Sequence, residues 1–486
     1  MDDSVSSDPP GGGASAGGRA PRGPSRKAAA KPSSARPRSK AAVVGGAAKA
    51  TRSRPAASGA ASRRTRAGPV AAVPSSGNGA DGVGAVPEGP GGRDRGPWRG
   101  ARSRAVYSRR IQRANEHWPL ATRSLAGLLG HPELVLKALG RSDPVERDGR
   151  VLNRGVQAML ELAERFDGGG PEGGGPEADP VVMRARLRRK ARLAMPVRTD
   201  IHAWGRVVPG PEGAPPVPVR LYRQYGSGLG LGRGDGGLVP CVVYFHGGSW
   251  VSGDLDTHDA GCRMLAAVAR CLVVSVDYRL APEHPFPAAV DDALAAYSWV
   301  RRHTGELGVD PRRVGVMGDS AGGNLAAVVA LETRAGGTAA DPDVPPPAAQ
   351  GLIYPGVDAR MGAESVRKLA GSFFLTRESM ELNRAFYLPD PTDWTDRRAS
   401  PLLAEDHRGA APALVVTAGF DPLRDDGEHY ADALRAAGVP VEYRCYDDQV
   451  HGFMGMGFLS DSLALATEVC DAMGRLIRRS AAEAPL

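Results

Sequence analysis

Residues Val314-Gly-Val-Met-Gly-Asp-Ser-Ala-Gly-Gly-Asn-Leu-Ala-Ala-Val-Val-Ala-Leu331 decide how this chain is read. The apolar run at its start has the look of a buried strand, and Asn324–Leu331 that of a buried helix. Between them lies Gly318-Asp-Ser-Ala-Gly-Gly323, with glycine two positions either side of Ser320. Those glycines let the chain bend sharply and remove side chains that would crowd the hydroxyl. A helix starting at Ala321 would aim its positive end at the same point, favouring a developing negative charge. Ser320 is the candidate nucleophile.

Working outward, strand and helix patterns alternate from residue 200 onward. Strands are expected at 217–222, 239–245, 271–278, 313–317, 350–354, 413–418 and 441–446. Helices are expected at 258–270, 288–303, from 321, 427–437 and 462–478. Short apolar strands separated by helices imply an α/β fold, a mostly parallel sheet covered on both faces. The Gly-rich stretch Gly226–Gly237 precedes a strand instead of opening a helix, so it is not read as a dinucleotide loop.

A serine hydroxyl is a poor nucleophile at neutral pH. It needs a base, and the base needs an orienting acid. After Ser320 only His407, His429 and His451 remain. His429 falls inside a helix and His407 in a polar stretch, whereas His451 follows the last strand and a polar turn. The strand 413–418 runs into Gly419-Phe-Asp421-Pro422, which puts Asp421 just past a strand end, where open α/β sheets place their sites. Asp425 and Asp426 read as caps of the helix that follows. Acyl transfer also needs donors facing the carbonyl oxygen. His246-Gly247-Gly248-Ser249-Trp250 follows an apolar strand, and the amides of Gly247, Gly248 and Ala321 are the expected donors. His246 reads as a structural residue of that loop. Trp250, Phe373, Phe374 and Phe453 are candidates for an apolar substrate wall or for ordinary core packing.

His246-Gly-Gly-Ser-Trp250, Asp277-Tyr-Arg-Leu-Ala-Pro-Glu-His-Pro-Phe-Pro-Ala288, Gly318-Asp-Ser-Ala-Gly-Gly323, Asp421-Pro-Leu-Arg-Asp425 and His451-Gly-Phe453 occur in the order and spacing of one family. The chain resembles the hormone-sensitive-lipase-like esterases over about residues 205–480, and more weakly over 151–200. The resemblance implies an α/β-hydrolase fold with a helical cap, and a cofactor-free carboxylesterase acting on short and medium acyl esters. It implies the triad Ser320, Asp421 and His451, with Gly247, Gly248 and Ala321 as oxyanion donors. Ser249 stands where many members have a third glycine. Amide or lactone hydrolysis by the same triad is the chemical alternative. A ligand-binding relative without catalysis is the non-enzymatic one.

The remaining sequence sets the surroundings. Lys and Arg total 62 against 54 Asp and Glu, a net charge of +8. Residues 1–97 contain no aromatic residue, and basic side chains there outnumber acidic ones more than twofold, so the rest of the chain is mildly acidic. Such a segment cannot bury enough apolar surface to offset its chain entropy, and a disordered tail is expected. Its texture suits weak, non-specific polyanion binding or a plain solubilising linker. Residues 98–204 read as a helical N-terminal and cap segment, with helices near 151–163 and 183–195 joined by the flexible Gly168–Gly175. Residues 205–486 read as the catalytic domain, with a cap insertion at about 361–400. No metal-ligand spacing, signal-peptide pattern or bilayer-length apolar run is present. Five irregularly spaced cysteines suit a reducing compartment, and a cytoplasmic location is expected.

Overall fold

The computed structural model describes residues 120–166, 179–225, 237–334, 343–371 and 373–483. Three expectations lie outside these residues: the tail 1–97, the linker Gly168–Gly175, and the Gly-rich stretch up to residue 236.

Among the described residues four helices come first: α1 (Leu120–Leu129), α2 (Pro132–Ala138), α3 (Arg154–Phe166) and α4 (Pro180–Ala194). An eight-stranded sheet follows, built from β1 (Ile201–Val208), β2 (Val217–Gln224), β3 (Val239–Phe245), β4 (Leu272–Val276), β5 (Val309–Asp319), β6 (Gln350–Ile353), β7 (Ala413–Phe420) and β8 (Val441–Val450). Interleaved with it are α5 (Asp259–Ala269), α6 (Ala288–Arg302), α7 (Thr304–Leu307), α8 (Ala321–Glu332), α9 (Glu364–Leu369), α10 (Arg377–Tyr387), α11 (Arg424–Ala436) and α12 (Ser460–Glu483). The strand order is β8-β7-β6-β5-β3-β4-β2-β1, and β2 alone pairs antiparallel with both its neighbours.

The strands alternate between two cores. On β3, Cys241, Val243 and Phe245 join one cluster with Leu325 and Val328 of α8 and Tyr430 of α11. Val242 and Tyr244 join another, with Leu265 and Ala266 of α5 and Val469 and Ile477 of α12. The same alternation recurs on β4 (Leu272, Val274 and Val276 against Val273) and on β7 (Ala413 and Val415 against Leu414, Val416 and Ala418). Both faces are therefore dry, which is why these strands read as continuous apolar runs.

Several boundaries differ from the sequence reading. The sheet begins at Ile201, inside the segment assigned to the cap, with Ile201 opposite Gln224 and Trp204 opposite Leu221. Helix α11 begins at Arg424, so Asp425 and Asp426 lie in its first turn and do not cap it. Asp425 instead accepts the amide of Ser365 at 2.7 Å, and Asp426 is buried. A short antiparallel hairpin, Glu146–Arg147 with Arg150–Val151, was not anticipated. Its turn is Asp148-Gly149, both at positive φ, a pairing that is itself a hairpin signal.

A third cluster covers the carboxyl ends of β7 and β8. Leu136 of α2, Leu152, and Val156 of α3 pack there with Leu369 of α9, Phe373, Phe420 and Val450. The N-terminal helices and the 361–400 insertion thus meet over one end of the sheet.

Candidate active site

Ser320 occupies the turn between β5 and α8 with φ 54° and ψ −118°, a conformation that non-glycine residues rarely adopt. The turn survives because its neighbours allow no alternative. A Cβ at Gly318 would overlap the carbonyl of Gly322, and one at Gly322 would overlap the carbonyl of Phe245. The Ser320 amide donates to Ile353 O at 2.8 Å, tying the turn to β6.

His451 follows β8 and is buried beside Ser320. Its Nε2 is 2.9 Å from Ser320 Oγ, and its Nδ1 is 2.8 Å from Asp421 Oδ2. A hydroxyl donating to Nε2 and an Nδ1–H donating to the carboxylate fix one tautomer for this chain of bonds. Asp421 is fully buried, and its other oxygen accepts the Leu423 amide at 2.9 Å. The Tyr354 ring lies 4.6 Å from that of His451, holding it from the side. Of the other late histidines, His407 is buried against Pro401 O at 3.0 Å and is packed edge-on to Tyr430.

The loop after β3 is built around Asp319. Oδ1 of this residue accepts the hydroxyl of Tyr244 at 2.6 Å and the amide of Gly247 at 2.9 Å, and lies 3.5 Å from His258 Nε2. Burial would raise the Asp319 pKa. The charge and hydrogen bond of His258, with the bond from Tyr244, outweigh it and hold the group at about 2. Burial likewise opposes a charged His258, but the Asp319 carboxylate and Asp254 more than offset it, and that pKa is raised. His246 sits behind the loop, stacked on Tyr278 with ring centres 4.3 Å apart, and burial lowers its pKa to about 4. It is neutral and structural, as expected.

This network corrects the expected role of Gly247. Its N–H is already given to Asp319, so it does not face a substrate. A Cβ at this position would overlap the Asp319 side chain, which accounts for the glycine. Among the described residues the amides of Gly248, Ser249 and Ala321 have no protein acceptor. Ser249 and Trp250 have φ of 55° and 60°, so the loop turns left-handed as it passes Ser320. Spacing alone could not separate the amide of Gly247 from that of Ser249.

Two cavities meet at Ser320. The larger, about 810 Å³, runs under α3 and α4 and is lined by Phe373 and Phe374. The smaller, about 60 Å³, is bordered by Trp250 and Ala321. Phe453 lines neither; it is wholly buried against Tyr354 and Tyr446. Among the described residues no cluster of three or more His, Cys, Asp or Glu side chains could hold a metal.

Comparison with known proteins agrees with this geometry. Residues 242–455 match a family model described as the alpha/beta hydrolase fold. Carboxylic ester hydrolase LipN of Mycobacterium tuberculosis is 42% identical over 338 residues, covering 69% of this chain and 85% of that protein. Carboxylesterase NlhH of the same species is 41% identical over 295 residues, 60% of this chain and 87% of that one. Among solved structures, a mutant of LAE6, an α/β-hydrolase enzyme from the Lake Arreo metagenome, superposes with a TM-score of 0.60 at 39% identity, over 67% of this chain and 98% of the other. On the elbow at Ser320, the sheet order and this degree of similarity, the chain belongs to the α/β-hydrolase family, among the hormone-sensitive-lipase-like esterases.

Proposed function

We propose that this protein is a serine carboxylesterase. Ser320 attacks the ester carbonyl, His451 takes its proton, and Asp421 holds the imidazole and steadies its charged form. The oxyanion rests on the amides of Gly248, Ser249 and Ala321, with Gly247 holding the loop in place. His451 returns the proton to the departing alcohol. It then takes a proton from water as the water oxygen bonds to the acyl carbon, and passes it to Ser320 Oγ as the bond to the serine breaks and the acid leaves. The observation that carries this reading is the unbroken run of hydrogen bonds from Ser320 Oγ through His451 to a fully buried Asp421.

An intact base and acid disfavour a relative that has kept only binding. The test is turnover of p-nitrophenyl acetate together with labelling by a fluorophosphonate. Both are expected in the wild type and absent in Ser320→Ala. Wild-type turnover in the purified variant overturns the reading. Preferential cleavage of anilides or lactones would instead support the alternative carbonyl chemistry.

A cytoplasmic location fits the cysteines, five free thiols of which four are buried. No helix among the described residues is long and apolar enough to cross a membrane. We propose a division into a tail 1–97, a helical cap segment 98–204 and a catalytic domain 205–486 whose sheet opens earlier, at Ile201. The net positive charge of the tail would give weak, salt-sensitive polyanion binding.

A further inference from the structure

The two cavities differ more than tenfold in volume, about 810 Å³ against about 60 Å³. They share Ser249, Ser320, Leu375 and Asn383, so the reacting carbonyl sits at their junction. His451 lines only the large cavity, and Ala321 and Trp250 line only the small one.

Chemistry then orients the substrate. As the acyl-enzyme forms, Ser320 Oγ bonds to the carbonyl carbon and its proton passes to His451 Nε2. When the intermediate collapses, the bond from that carbon to the alcohol oxygen breaks, and the same proton moves from Nε2 to the alkoxide. The alcohol oxygen must therefore lie within hydrogen-bond reach of Nε2, on the large-cavity side. With the carbonyl oxygen turned to the loop amides, the acyl chain is left facing the recess beside Ala321 and Trp250. Resting on the esterase reading above, we infer that the natural substrates are esters of short acids with bulky apolar alcohols, the alcohol in the large cavity and the acyl group in the recess.

The walls fit this division. At about 30 Å³ for each water-sized group, the recess has room for roughly two, enough for acetyl or propionyl. It does not yield easily: Trp250 lies flat on Tyr387, with ring centres 4.5 Å apart and planes 4° apart, and Tyr387 is itself fully buried. The large cavity is lined by seven of the chain's eleven methionines, among them Met183, Met264 and Met456. Flexible thioether side chains adapt to varied apolar shapes, so the alcohol is specified by bulk and not by outline. This narrows the short-to-medium acyl range that the family resemblance implies.

The test uses two isomeric esters of equal composition, octyl acetate and ethyl octanoate, with p-nitrophenyl acetate as reference. We expect kcat/KM for octyl acetate to exceed that for ethyl octanoate by about tenfold or more, since several methylenes must be forced into the recess. Equal rates, or preference for ethyl octanoate, overturn the assignment of the arms and leave the esterase reading standing. Failure to cleave any of the three overturns both. Widening the recess by Met380→Ala or Leu423→Ala should bring the ratio of the two isomers towards unity. An unchanged ratio in a folded variant overturns the recess as the acyl site.

Discussion

The amide of Gly247 and the carboxylate of Asp319 are joined at 2.9 Å across 72 residues of chain, so the residue before Ser320 holds the loop that passes over it. Asp319 also takes the Tyr244 hydroxyl, and its removal would leave two buried donors without an acceptor. Asp319→Ala is expected to lower kcat about 10- to 100-fold and to cost roughly 1–3 kcal/mol of stability per unsatisfied donor. Asp319→Asn should recover part of the rate by keeping an acceptor oxygen. Steady-state kinetics and denaturant unfolding of both variants check this.

Gly247 and Ser249 should respond in opposite ways. Gly247→Ala forces a methyl into the Asp319 side chain and is expected to abolish turnover or folding. At Ser249, with φ 55°, glycine relieves backbone strain. Ser249→Gly is therefore expected to retain turnover, with stability unchanged or raised by up to about 1 kcal/mol. Thermal unfolding and p-nitrophenyl acetate rates of the pair decide it.

Asp421 and Asp425 separate chemistry from packing. Asp421→Asn leaves His451 in the wrong tautomer, and kcat should fall on the order of 10⁴-fold with the protein still folded. Asp425 bonds the Ser365 amide and Arg424, so Asp425→Asn should lower stability while turnover stays within about tenfold. A larger kinetic loss for Asp425→Asn would exchange their roles.

The ion pair of His258 with Asp319 predicts a pH signature. The His258 pKa is raised in the folded protein above its ordinary 6.5. Its stabilising contribution is therefore fully present below about pH 6.5 and fades as pH rises through the folded value. The stability difference between wild type and His258→Gln should shrink as pH rises from 6 towards 9. A difference independent of pH over that range would mean that His258 is neutral in the folded protein.

The parallel strands β3 and β7 and the 314–318 part of β5 were legible because they are dry on both faces and therefore apolar. Strand β1 was not, because it is an edge strand: His202, Gly205, Arg206 and Val207 are exposed, and no alternation survives. The positions of Ser320, Asp421 and His451 followed from chain order and from the ends of strands. Which loop amide stays open did not, since that depends on a carboxylate reaching back from another strand. Phe453 shows the same limit. An aromatic two residues past His451 fits a substrate wall as well as a core, and only its contacts with Tyr354 and Tyr446 decide.

The hairpin turn at Asp148 reaches the start of α11, where its carboxylate lies 3.0 Å from the guanidinium of Arg424. Arg424 is nearly buried, three residues beyond Asp421, and Asp425 is its other acidic neighbour at 2.9 Å. The hairpin therefore supplies half of the counter-charge for a cation close in sequence to Asp421, and cutting it away would leave that cation undercompensated. Anyone grafting a cap from a relative onto this scaffold would have to carry over an acidic residue at the hairpin turn, or redesign Arg424 with it.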